Sequence, residues 1–128
     1  MNLPTPQPER LARRSDLVRR LAGLVDTGGL IHRAEDLVVY ECDGVSAYRQ
    51  TPLAVALPTS TQQIIEVVQA CGELDIPIVP WGAGTGLSGG ALPLGDGIVL
   101  SLARMNRVLR VDIEDRAVTV EPGVTNLA

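Results

Sequence analysis

Apolar residues fall along this chain in three rhythms, and each rhythm predicts a different kind of element. Leu17, Val18, Leu21, Leu24 and Val25 recur at intervals of three and four, with Arg13, Arg14, Arg19 and Arg20 between them. That is the period of an amphipathic helix, ended by Gly28-Gly29. Ile64, Val67, Val68, Cys71 and Leu74 repeat it through about Leu74, and Ser60 with Gln63 has the form of a capping box at its start. Gly72 inside that second helix costs about 1 kcal/mol relative to alanine, so the helix relies on packing. The second rhythm is unbroken: Leu53-Ala54-Val55-Ala56-Leu57, Ile76-Pro77-Ile78-Val79 and Ile98-Val99-Leu100-Ser101-Leu102 read as strands, buried on both faces where the run is continuous. The third is alternation. Val108-Leu109-Arg110-Val111-Asp112-Ile113 and Ala117-Val118-Thr119-Val120-Glu121, separated by Glu114-Asp115-Arg116, predict a β-hairpin.

Taken in order, strand, helix and strand across residues 53–79 form a βαβ unit with parallel strands and, by the general rule, a right-handed crossover. Pro77 lacks an amide, which places it at a strand's beginning or on an edge strand. The early prolines Pro4, Pro6 and Pro8 argue against a helix there and for a surface or disordered start. Leu30-Ile31 reads as a short strand and Leu37-Val38-Val39-Tyr40 as a further apolar run. Residues 40–48 lack periodicity and read as a loop tucked against the core, with tyrosine rings buried and hydroxyls bonded. Thr125-Asn126-Leu127-Ala128 looks like a helix cap and first turn with no helix behind it, which predicts a truncated domain.

Composition narrows the function classes. A length of 128 residues suits one domain, and a net charge of −4 leaves no electrostatic footprint for nucleic acid. An anionic ligand would therefore be held by local amides and dipoles. Cys42 and Cys71 lack metal-ligand spacing, and Cys71 on an apolar helix face reads as a buried thiol. His32 is the only histidine and has no acidic or thiol partner at a recognisable spacing, so it reads as a surface or capping residue, and no metal site is expected. No apolar run approaches the roughly 20 residues that span a bilayer, and the first residues lack the regions of a secretory signal, so a reducing cytoplasm is expected.

The chemistry is concentrated in Pro80-Trp81-Gly82-Ala83-Gly84-Thr85-Gly86-Leu87-Ser88-Gly89-Gly90, which holds five glycines and follows a predicted strand. Glycines allow positive φ and close approach, and successive amides turned to one side make a concave anion site. Thr85 and Ser88 add hydroxyl donors. The functional reading is a cradle for a nucleotide diphosphate; the plainer one is a tightly turned connection. Gly84-Thr85-Gly86-Leu87-Ser88-Gly89 matches G-x-G-x-x-G, yet that fingerprint needs a helix opening at its last glycines. Here Pro93, Gly95 and Gly97 precede the next strand, so no crossover helix fits and the NAD-type reading fails. A P-loop fails as well, because no lysine and hydroxyl residue follow the glycines.

The run 80–90, continued by Ala91-Leu92-Pro93, resembles the flavin diphosphate loop of the FAD-linked oxidases of the vanillyl-alcohol oxidase type. Together with Tyr40-Glu41-Cys42-Asp43-Gly44, Tyr48 and Val120-Glu121-Pro122-Gly123-Val124, it is most similar to the glycolate oxidase and D-lactate dehydrogenase branch, from about Ala34 onward. The resemblance implies an α+β fold: the first subdomain of a PCMH-type FAD-binding domain, with the βαβ unit, the Gly-rich loop and the hairpin. Residues 1–33 would be a helical extension and 34–128 the truncated N-terminal part of the FAD domain. It implies that the loop residues from Pro80 and Trp81 to Gly90 hold the diphosphate and that Pro122, Gly123 and Val124 lie along the cofactor. Arginine is common in the family where Trp81 stands, so stacking or packing would replace a charge contact here. Some relatives attach flavin through a histidine in this loop; no histidine or cysteine occurs in residues 80–90, so FAD is expected to be noncovalent.

By the same resemblance the whole protein would oxidise a small 2-hydroxy acid, glycolate to glyoxylate first, with D-lactate as the alternative. Catalytic and metal-binding groups would lie beyond residue 128, leaving this chain inactive alone. Partners would be a second flavin-type subunit and an iron-sulfur subunit, which could place it peripherally at the inner face of a membrane. A non-catalytic nucleotide-binding module and a partly folded remnant are the competing readings.

Overall fold

A strand covered on both faces can bury every side chain, and two of the three apolar runs do so. In the computed structural model, which describes residues 3–126, β2 (Ala54–Ala56) and β4 (Ile98–Ser101) are buried throughout. β4 lies between β2 and β3 (Ile78–Trp81) and is parallel to both; β1 (Leu30–Ile31) adds antiparallel to β2, giving the order β1-β2-β4-β3. Strand β3 is thus an edge strand and Pro77 just precedes it, so both expectations for that proline hold. The βαβ unit is present with a detail the pattern did not reveal: β4 is inserted between the two strands it joins.

Alternation along β2 divides the core. Ala54 and Ala56 face a cluster with Leu17, Leu21, Val67, Ala70 and Cys71, contributed by α2 (Arg14–Ala22) and α4 (Thr61–Glu73). Val55 lies in the other cluster with Val99, Leu37 and Trp81. Residues before 34 therefore supply helix side chains and β1 to the same core. Burial pushes the Cys71 thiol up to about 11, as befits an inert packing residue.

Local chemistry sets the ends of α4. Ser60 Oγ accepts the Gln63 amide at 3.3 Å, but the Gln63 side chain reaches one residue further back, to the Thr59 amide at 2.9 Å. At the other end Asp75 takes φ 53°, with its NH on the Gly72 carbonyl and the Ile76 NH on that of Cys71, the paired bonds of a left-handed helix stop. Val68, expected on the apolar face, is exposed because Ala70 packs in its place.

Other boundaries depart from the pattern. Pro8 opens a helix, α1 (Pro8–Ala12), since proline is well suited to a first helical position. The residues before it are pinned. Buried Asp96 accepts the Gln7 amide and Arg10 Nη1, each at 3.1 Å, while Gln50 bridges the Pro4 carbonyl and the Gly95 amide at 2.8 Å. Helix α2 stops at Gly23 and not at Gly28-Gly29, although Leu24 and Val25 still pack on the core. The apolar run at 37–40 is not a strand: it joins α3 (Ala34–Leu37) to a 3-10 turn (Val38–Tyr40). The helix start read at residues 125–128 lies outside the described residues at Leu127 and Ala128, as the chain start does at Met1 and Asn2. No described helix is long and apolar enough to cross a membrane.

The hairpin, β5 (Val108–Asp112) and β6 (Ala117–Val120), forms its own two-stranded sheet, with a register shift between Val108 and Arg110 and a four-residue loop ending at Arg116, φ 49°. The alternation of residues 108–113 predicts a half-buried strand, yet Val108, Leu109, Val111, Val118 and Val120 are all exposed and neither strand of the hairpin has a buried face among the described residues.

Two substitutions separate core packing from helix propensity. Leu17→Ala is expected to lower unfolding free energy by about 2–5 kcal/mol in urea titrations. Gly72→Ala, whose new methyl meets open space, is expected to raise it by about 0.5–1 kcal/mol.

Candidate functional site

Because β3 and β4 are parallel neighbours, both release the chain at the same end of the sheet. The Leu102 amide donates to the Trp81 carbonyl at 3.1 Å and keeps the two exits side by side. The hairpin then returns to them. The Gly123 amide donates to the Met105 carbonyl at 2.8 Å, and a Cβ built on Gly123 would fall 2.4 Å from the Leu102 carbonyl oxygen, so only glycine permits this approach. Between the three pieces lies a cleft of about 370 Å³, lined by Gly82, Ala83, Ala103, Pro122, Gly123, Val124, Thr125 and Asn126.

The Gly123 side of the cleft is held by an ion pair. Arg107 donates Nη2 and Nε to Glu121 Oε1 at 2.6 and 3.0 Å and its amide to Oε2 at 2.9 Å. Those side-chain bonds first, then the backbone bond, hold the Glu121 carboxyl below the usual range against the opposing effect of burial.

The other side is the glycine loop, and its backbone accounting is unusual. Buried amides nearly always find partners and exposed ones are left to water. Among the described residues, no main-chain NH of residues 82–90 donates to another group of the chain, and neither the Thr85 nor the Ser88 hydroxyl is bonded. A Cβ on Gly82, Gly86 or Gly90 would meet nothing within 4 Å, so a ligand can reach the main chain at all three. The loop is nevertheless shaped. Gly84 (φ 71°) lies on the Trp81 indole, where a Cβ would fall 2.3 Å from the ring, and Tyr40 packs edge-on to that indole with centroids 5.6 Å apart. Gly89 takes φ 75°, and the chain after Gly90 turns without forming a helix, as the rejection of a dinucleotide fold requires.

Of the residues singled out in the sequence, Gly82 and Ala83 meet Pro122, Gly123 and Val124 around the cleft. Thr85, Gly86, Leu87, Ser88 and Gly90 continue along the exposed loop, with Gly84 and Gly89 half-buried. Pro80 and Trp81 belong to β3: Pro80 is exposed, and Trp81 is a core residue that supports the loop from below. Sequence reasoning missed Ala103, whose place follows once β3 and β4 are known to be neighbours, and the Tyr40 brace, which leaves no local signal. Among the described residues no group of three or more His, Cys, Asp or Glu is placed to hold a metal.

Free amides in a glycine cradle beside an open cleft are the donor set that a diphosphate takes, so the residues present fit a dinucleotide. Residues 52–128 match the FAD binding domain family. The chain belongs to that family. Its cofactor is FAD, and the fold is that of the PCMH-type FAD-binding domains. It is 48% identical over 99 residues to the glycolate oxidase subunit GlcD of Escherichia coli K12, a match covering 77% of this chain and 20% of the relative. With the D-lactate dehydrogenase of Anaerostipes hadrus it shares 42% over 73 residues, 57% of this chain and 15% of that one. The crystal structure of p-cresol methylhydroxylase with substrate bound superposes with a TM-score of 0.71 at 24% identity, over 96% of this chain and 24% of the other. The chain spans about a fifth of the length of the curated relatives it matches. It is thus an FAD-binding domain portion related to oxidoreductases of the glycolate oxidase and D-lactate dehydrogenase kind.

Gly84→Ala meets both a positive φ and the indole, and is expected to destabilise the domain by about 1–3 kcal/mol in urea titrations followed by Trp81 fluorescence. Because the folded Glu121 carboxyl titrates below its unfolded range, its contribution is complete above that range and lost as pH falls through the depressed value. The stability gap between the native chain and Glu121→Gln, measured across pH, should therefore be full near neutrality and close in acid.

Proposed function

We propose that this chain is the diphosphate-holding part of a flavin-dependent 2-hydroxy-acid oxidoreductase, with FAD bound noncovalently and glycolate as the substrate of the whole protein. The observation that carries the reading is the run of unspent amides in residues 82–90 beside the cleft shared with Pro122, Gly123 and Val124. When bound, FAD supplies the ring that accepts a hydride from the substrate carbon bearing the hydroxyl. This chain's residues do the holding. Loop amides and the Thr85 and Ser88 hydroxyls donate to the diphosphate, while Pro122, Gly123 and Val124 lie along the cofactor. Trp81 fixes the loop by packing and makes no charge contact. With a net charge of −4 the chain offers the diphosphate no general attraction, so directed dipoles must do the work.

Glycolate is favoured over D-lactate by the identity to the E. coli glycolate oxidase subunit, 48% against 42% over a shorter match. The groups that choose between these acids, and the catalytic residues, are placed outside this chain, which is therefore inactive alone. The name of that relative, a subunit, supports assembly with further subunits. On this reading those are a second flavin-type subunit and an iron-sulfur subunit, with the assembly in the cytoplasm or against the inner face of a membrane.

Absence of histidine and cysteine from residues 80–90 supports noncovalent attachment. Acid precipitation of the FAD-loaded chain is expected to leave all yellow flavin in the supernatant; flavin in the protein pellet would contradict it. The chain alone is expected to give no glycolate-dependent dye reduction, measured against a buffer blank. Binding of ADP without any binding of FAD would favour a plain nucleotide-binding module.

A further inference from the structure

Residues 43–45 form a small turn that touches the glycine loop on its carbonyl side. The Gly44 amide donates to the Gly86 carbonyl at 3.1 Å, across 42 positions of sequence. A Cβ built on Gly44 would fall 2.8 Å from both the Thr85 and the Gly86 carbonyl oxygens and 3.0 Å from the Leu87 side chain. Both oxygens therefore face Gly44. No peptide bond among the described residues is cis, and in a trans peptide plane the C=O of one residue and the NH of the next point in opposite directions. Turning the Thr85 and Gly86 carbonyls toward Gly44 thus turns the Gly86 and Leu87 amides away from it. Those amides are among the unspent donors of the loop.

We infer that the turn around Gly44 is a positioning element: by bonding the Gly86 carbonyl and packing against the Thr85 carbonyl it aims the Gly86 and Leu87 amides at the anion. The inference rests on the diphosphate reading of the loop and adds residues that touch no cofactor. Its shape is set by Asp43, which is buried and accepts the Val45 amide through Oδ1 at 2.8 Å. This side-chain bond fixes the turn and presents the Gly44 amide to Gly86. Asp43 Oδ2 is buried and has no hydrogen-bond partner among the described residues. A buried carboxylate oxygen without a donor is costly, and its retention here is consistent with a turn kept for what it positions.

Heteronuclear NMR of the whole chain titrated with ADP, which carries a diphosphate but no flavin, tests this directly. In the native chain the Gly86 and Leu87 amide resonances should move downfield as ADP binds. Gly44→Ala, with no room for its methyl, should lose those two responses and bind ADP about tenfold or more weakly. Asp43→Ala, which adds no bulk and covers the case in which Gly44→Ala fails to fold, should weaken binding in the same direction. Asp43→Asn keeps the acceptor for Val45 and should restore it. ADP responses confined to other loop amides, or unchanged Gly86 and Leu87 responses in Asp43→Ala, would overturn the inference and leave the diphosphate reading standing. No response of any loop amide in the native chain would overturn both.

Discussion

The constraint on which this structure depends is a division of labour within single peptide planes of the glycine loop. Its carbonyl side is engaged by the protein at Gly86, while its amide side is left unspent over residues 82–90. A loop satisfied on both sides would be a rigid connection with nothing to offer a ligand. One satisfied on neither would collapse or remain mobile. Main-chain donors are worth most when they are already oriented, since no reorganisation is then needed as the anion arrives. Here the orientation is inherited from the core: Tyr40 supports Trp81, and Trp81 supports Gly84.

The same economy explains why, among the described residues, no charged side chain lines the cleft. Its lining is glycine, alanine, proline and valine with Thr125 and Asn126, and the Arg107–Glu121 ion pair beside it, with Glu121 buried and Arg107 exposed, fastens the hairpin's return. Glu121 draws the Pro122 segment back to the exits of β3 and β4, and Gly123 lets it come within contact of the Leu102 and Met105 carbonyls. Two remote parts of the chain are thereby brought to one end of a parallel sheet, where ligands of open α/β sheets bind.

Much of this was legible from local pattern. The unbroken runs at 53–57 and 98–102 and the period of 64–74 report a burial environment that a few neighbouring residues determine, and each became the expected element; the alternation of 108–121 gave the hairpin but not its burial, since its apolar residues are exposed. The rejection of a dinucleotide helix after Gly90 followed from Pro93 and two glycines and needed no tertiary information. What escaped the sequence depended on distant contacts. Insertion of β4 between β2 and β3 leaves no trace in either strand. The pinning of the early prolines depends on Asp96 and Gln50, and the exposure of Val68 depends on which side of α4 meets α2. Trp81 read as loop because glycine follows it at once, yet it closes a strand and its ring is core.

The most direct test of the central claim is a crystal structure of the chain grown with FAD. The account predicts diphosphate oxygens within hydrogen-bond distance of main-chain amides of residues 82–90, with the loop in the shape described here. A diphosphate bound elsewhere, with those amides facing only water, would contradict it.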